Sequence, residues 1–148
     1  MLDLKDLYLT PHGRLGRQTY WLALAGLVVA NLVAGLIPVI GSLVALALLW
    51  PCACVIAKRL HDMGRSGWPA FALTFPCAIL GLFAALVALM TADLTTAGLA
   101  LAAAGVVAVV GSLVGLAGLV LIVWAGVAPS QRGVNAYGQQ ALRPFPLS

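Results

Sequence analysis

The sequence predicts an all-α, polytopic membrane protein: a four-transmembrane-helix bundle with short loops, forming one membrane domain over residues 1–148. Three observations predict it. Hydrophobic residues make up 63% of the chain and charged ones only 8%, against roughly 25% charged in an average soluble domain. Eight Lys and Arg, four Asp and two His side chains cannot supply the polar surface that a water-soluble fold of this length needs. The apolar residues fall in blocks suited to a hydrocarbon core of about 30 Å, and every Lys and Arg lies in segments 1–19, 58–67 or 129–148.

Residues 1–19 mix Leu2, Leu4, Leu7, Tyr8 and Leu9 with charges, then pass through His12 into Gly13-Arg14-Leu15-Gly16-Arg17. This stretch is too short and polar to span. It is expected to lie at the interface, with Leu and Tyr dipping into the headgroup boundary and His12 solvated. Asp3, Lys5 and Asp6 precede the first apolar run, which argues against a cleavable signal. The first span is placed at 20–37, where about eighteen residues cover roughly 27 Å. Thr19 is its expected N-cap and Tyr20 with Trp21 an interface anchor. Arg14 and Arg17 stand before the positive pole of that helix, so phosphate headgroups are expected to hold them.

Pro38-Val39-Ile40-Gly41 reads as a short apolar turn into a second span at 42–57, or one that starts already at Val39, which Pro51 should kink; Trp50 suits either an interface or a packing position. The third span is placed at 69–90, with a second kink at Pro76. Residues 91–96, with Asp93, form a polar interruption before the apolar block 97–128. That block would be about 48 Å long as a helix, so the fourth span is placed at 105–127 and 97–104 is a helical lead-in or an interfacial turn. Gly111-Ser112-Leu113-Val114-Gly115, with Gly118 nearby, permits close helix approach, first within the chain and second in a dimer. Cys52, Cys54 and Cys77 fall inside spans without disulfide or zinc spacing and read as packing residues. The tail 128–148, with Arg132 and Arg143, is expected to be irregular and exposed.

The chain is organised around Lys58-Arg59-Leu60-His61-Asp62-Met63-Gly64-Arg65-Ser66-Gly67-Trp68. Burying its charges in a bilayer would cost on the order of 10 kcal/mol, so the run is expected at the water or headgroup level. Lys58, Arg59 and His61 suit the last turn of a helix, Gly64 the left-handed position beyond it, and Ser66 the cap of the next helix, with Pro69 in its first turn. Arg59 and Asp62 are three apart and can pair. With four spans, all three basic segments share one side, which the positive-inside rule makes cytoplasmic together with both chain ends.

Gly13-Arg14-Leu15-Gly16-Arg17 with Tyr20-Trp21, the central run, and Gly133-Val134-Asn135-Ala136-Tyr137-Gly138 together resemble the bacterial domain-of-unknown-function family 805 (DUF805). The resemblance implies a small inner-membrane protein of about four spans with no assigned activity. The chain departs from the family pattern at Pro69, where a second aromatic is usual, and in its altered tail. The candidate motif residues are Arg14, Arg17, Lys58, Arg59, His61, Asp62, Gly64, Arg65, Ser66, Gly67, Trp68, Asn135 and Gly138, expected to fold together with Asp62 paired to Arg14, Arg17 or Arg59.

The first functional reading is a non-enzymatic membrane component whose basic cytoplasmic face binds anionic phospholipid headgroups or a partner membrane protein, a second copy included. Nucleic acid is not expected, because the basic residues are scattered over three short segments. A second reading is a small-solute transporter or channel component, although the polar groups within the spans are only Asn31, Ser42, Thr74 and Ser112. A third is a membrane enzyme using His61 and Asp62, which as helix neighbours point apart. The spacing offers no phosphate loop or metal-spaced cluster, so no catalytic, cofactor-binding or metal residue is assigned.

Overall fold

The computed structural model describes residues 4–90 and 97–139. Asp93 and Arg143, with their polar segment and tail end, lie outside the described residues. The named elements are all helices: α1 (Leu4–Leu9), α2 (Arg17–Ala34), α3 (Pro38–Asp62), α4 (Trp68–Met90) and α5 (Ala97–Val127).

Helix α2 starts three residues earlier than expected. Gly16, in extended conformation, precedes Arg17 and no side chain caps the end. Thr19 is therefore not the N-cap; it is buried in the first turn. The helix closes at Ala34, where the Gly35 amide returns to the Asn31 carbonyl at 2.9 Å. Pro38 then opens α3, because a first-turn proline has no helical donor to lose. The expected turn at 38–41 is thus the first turn of α3, and the connection is residues 35–37. Helix α3 continues through Pro51 to Asp62, and α4 through Pro76. The Ser66 hydroxyl accepts the Trp68 amide at 3.3 Å and so caps α4, as its position before Pro69 suggests. Helix α5 is unbroken over 31 residues. Residues 97–104 are therefore its helical lead-in.

Each long helix packs on its neighbour in sequence, α5 also touches α2 and α3, and α1 lies along α3. The buried apolar side chains gather at one end. Leu15, Tyr20, Ala23 and Leu24 come from around the start of α2, Val55, Ile56, Ala57 and Leu60 from the end of α3, Ala70 from the start of α4, and Ala125 from the end of α5. The long helices therefore alternate in direction. Tyr20 is fully buried, and its hydroxyl donates to the Ile122 carbonyl at 3.0 Å. It joins α2 to α5 and is not a surface anchor; Trp21 beside it is exposed. Leu7 is buried and the Tyr8 hydroxyl donates to Ala23 O at 3.2 Å, so these side chains face protein where the headgroup boundary was expected.

Away from this end the walls are apolar and exposed: Val29 and Leu32 on α2, Leu43 on α3, Ile79 and Leu82 on α4, Val106 and Val120 on α5. Among the described residues, a methyl group added at Gly111, Gly115 or Gly118 would meet no atom within 4 Å. Nothing among them is packed closely against that small-residue face. Cys54 is buried, Cys52 and Cys77 half-buried, and all are free thiols. Where the sequence suggests four spans, length and hydropathy identify two helices able to cross a membrane among the described residues, Gly41–Asp62 and Ala104–Val127; the apolar stretch Trp68–Ala84 is shorter.

Tyr20 gives the test of this packing. Tyr20→Phe removes one hydrogen bond and should cost about 1 kcal/mol, whereas Tyr20→Ala leaves a cavity in the buried cluster and should cost about 3–5 kcal/mol. Unfolding of both variants in detergent micelles checks the order.

Candidate functional site

An α-helix leaves its last four carbonyls without helical donors, and they carry the negative end of the dipole. Helices α3 and α5 end in the same small volume, so their carbonyls need donors from elsewhere. Arg59, on the last turn of α3, reaches across to α5: its Nε donates to Ala125 O at 2.8 Å and Nη2 to Ala128 O, just past the helix, at 2.5 Å. Its Nη1 donates to the Asp62 carboxylate, to Ser130 Oγ at 2.9 Å and to Leu15 O at 3.4 Å. The end of α5 is thus capped by a side chain of α3.

The end of α3 is finished by the other two segments. Asp62 O accepts the Gln131 amide at 2.8 Å and Arg14 Nη2 at 3.3 Å. His61 O accepts Asn135 Nδ2 at 2.9 Å and the Gly64 amide at 3.0 Å. Leu60 O accepts the Arg65 amide at 2.9 Å, a return that the left-handed Gly64 (φ 72°) permits. Lys58 O accepts the Leu15 amide at 3.3 Å. Lys58 itself is buried, and its ammonium donates to Asp6 O and, at 3.4 Å, to Leu7 O, tying α1 to α3.

Arg14 joins all three segments. Its Nε donates to Asp62 Oδ1 at 3.1 Å, Nη2 to Gln131 O at 2.5 Å, and Nη1 to Gly133 O at 2.6 Å and Gly138 O at 3.3 Å. The tail residues receiving it are shaped by Asn135, whose Oδ1 accepts the Tyr137 amide at 2.9 Å and which forms an antiparallel bridge with Gly138. Gly138 has a positive φ of 119°. The His61 ring stacks face to face on Tyr137, centroids 4.0 Å apart, and its Nδ1–H donates to Gly13 O at 3.3 Å. Gly67 is buried beneath it: a Cβ there would lie 2.8 Å from Ala57 Cβ and 2.9 Å from His61 Nε2.

Two guanidiniums and one carboxylate are therefore enclosed together, with side-chain exposures of 1% or less. The excess positive charge faces the carbonyl ends of α3 and α5. No buried side-chain nitrogen or oxygen among the described residues lacks a partner. Within the charged run, part of the charge is enclosed by protein rather than left to solvent or headgroups. Lys58, Arg59 and Asp62 are buried in protein, where carbonyls and the opposite charge take the place of water. Arg14 is likewise held by Asp62 and carbonyls where headgroups were expected. Arg17 is exposed and is not a partner of Asp62; Arg65, Ser66 and Trp68 are exposed as well. His61 and Asp62 form no acid–base dyad, since the carboxylate serves two arginines and the imidazole stacks on Tyr137. Sequence reasoning missed the roles of Ser130, Gln131 and Tyr137. Their signal was position: two polar residues directly after a long apolar block, and an aromatic between Asn135 and Gly138.

Asp62→Asn should destabilise the protein by about 3–5 kcal/mol, because it strips the anion from two buried guanidiniums. Arg17→Gln should change stability by no more than about 0.5 kcal/mol. Unfolding in detergent and the level of protein in membranes measure both. Asn135→Ala should spare the helices but free the tail, seen as faster proteolytic cutting within 130–139.

The family model described as "Protein of unknown function (DUF805)" matches residues 30–139. The chain is similar to "Uncharacterized protein YiiR" of Escherichia coli strain K12, with 42% identity over 66 residues, which is 40% of this chain and 45% of the relative. The protein of the same name in Escherichia coli O157:H7 matches with the same figures. The match thus spans less than half the length of these curated relatives. No solved structure matches the chain. The family match runs from within α2, through the central run, to the Asn135–Gly138 bridge, and the chain belongs to the DUF805 family.

Proposed function

We propose that the chain is an integral protein of the bacterial inner membrane that crosses the bilayer four times with both ends on the cytoplasmic side. Its work is non-enzymatic: the closed polar cap fixes the helices, and the cations left outside it meet the anionic inner leaflet. The observation that carries this reading is where the helices begin and end. Gly41–Asp62 and Ala104–Val127 are each long and apolar enough to cross. The Leu15 amide bonds to Lys58 O, so the chain enters α2 where it leaves α3. Arg14 and Asp62 likewise contact residues 131–138 beyond α5. A crossing by α3 then requires α2 to cross in the opposite sense, and a crossing by α5 requires the same of α4.

The surface supports the same placement. Large apolar side chains are exposed along α2 to α5, as a hydrocarbon solvent allows and water does not. The exposed Arg17, Arg65 and Arg132 all lie at the cap end, and that concentration of cations supports a cytoplasmic cap. Reporter fusions test it. Cytoplasmic reporters should be active at both chain ends, and a periplasmic reporter inserted at residue 36, between α2 and α3, should be active there. Chain ends on opposite sides would overturn the reading.

A further inference from the structure

The eight Lys and Arg residues divide by environment. Arg14, Lys58 and Arg59 are spent inside the cap. Of the exposed ones, Arg65 is distinguished by its seat: its guanidinium carbon lies 5.1 Å from the centroid of the Trp124 ring. Its backbone is fixed too, the amide bonded to Leu60 O at 2.9 Å. Among the described residues no carboxylate pairs with it. A guanidinium resting on an aromatic face keeps its N–H donors at the edge, in the fork that suits two oxygens of one phosphate.

Trp124 is in the last turn of α5, where apolar wall gives way to polar cap, the level at which an indole is favoured in a membrane protein. Counting back along the same helix face come Val120, Ala117 and Leu113, all exposed. One strip of surface therefore presents a cation, an aromatic ring at the boundary and an apolar track below it.

We infer that Arg65 on Trp124 is a headgroup site of this protein, taking the phosphodiester of an anionic glycerophospholipid while an acyl chain lies along Trp124, Val120 and Leu113. The inference rests on the topology proposed above and specifies which residue the lipid meets. Zwitterionic lipid carries the same phosphate, but its own ammonium competes with Arg65 for it, so anionic lipid binds more tightly. Free phosphate lacks the chain that fills the apolar track and binds poorly.

The test uses the full chain, delipidated in an uncharged detergent and titrated with phosphatidylglycerol, phosphatidylcholine or inorganic phosphate, with bound lipid counted by native mass spectrometry. Phosphatidylglycerol should bind about tenfold more tightly than phosphatidylcholine, and inorganic phosphate should not displace it. Arg65→Gln should remove the preference without moving the unfolding midpoint, Arg65→Lys should restore part of it, and Trp124→Leu should weaken both lipids. Arg132→Gln should leave the preference intact. Equal binding of the two lipids by the parent, an unaltered preference in Arg65→Gln, or displacement by inorganic phosphate would each overturn the site. So would cross-linking from position 65 in native membranes to a protein chain in place of lipid. Any of these with both reporter-tagged ends cytoplasmic removes the lipid site and leaves the topology standing.

Discussion

Two helix C-termini lying side by side inside a low-dielectric cap create a demand that the rest of the structure answers. The final carbonyls of α3 and the Ala125 and Ala128 carbonyls at the end of α5 are strong acceptors with no helical donor. Leu60, Asp62 and Ala125 are buried. The donors come instead from Arg14 before α2, from Arg59 on α3, and from Gln131 and Asn135 beyond α5. Three segments separated by tens of residues must therefore meet for either helix to end cleanly.

The arginines bring their own difficulty, which Asp62 resolves. Guanidinium charge enclosed in protein is costly unless paired, and the carboxylate lies between the two, one oxygen to each arginine. The second positive charge is tolerated because it points at helix ends that carry partial negative charge. Neutral donors could satisfy the same carbonyls, but a guanidinium reaches several acceptors from one rigid plane. Arg14 alone spans Asp62, Gln131, Gly133 and Gly138. That reach lets a single side chain fix the position of the tail relative to α3.

Much of the helical fold was legible in the sequence because apolar run length and the position of charges and glycines are strong local signals. The helix end at Asp62, the left-handed Gly64, the Ser66 cap and the Arg59–Asp62 pairing all follow from local spacing. Failures came where a tertiary partner overrode the local signal. Tyr20 reads as an anchor beside Trp21, yet its ring is buried and its hydroxyl finds Ile122, a partner 102 residues away. Thr19 is a good cap by type, but Gly16 already gives the extended residue that precedes the helix. Pairing with Asp62 was one destination the sequence offered for Arg14, but its contacts with Gly133 and Gly138 could not be deduced, because those acceptors are backbone carbonyls of a tail turn shaped by Asn135.

The most instructive contrast is between Arg59 and Arg65, six positions apart in one motif. Arg59 is on the inward face of the last turn of α3 and meets helix ends; Arg65 follows the left-handed turn at Gly64, which reverses the chain and turns the next cation outward onto Trp124. A single glycine conformation thus separates a cation that holds the bundle closed from one that faces its surroundings. The same division explains why the basic character of the three segments does not translate into a uniformly basic surface. Charge consumed by the cap fixes how the helix ends meet, and only the remainder is available to act on anything outside the protein.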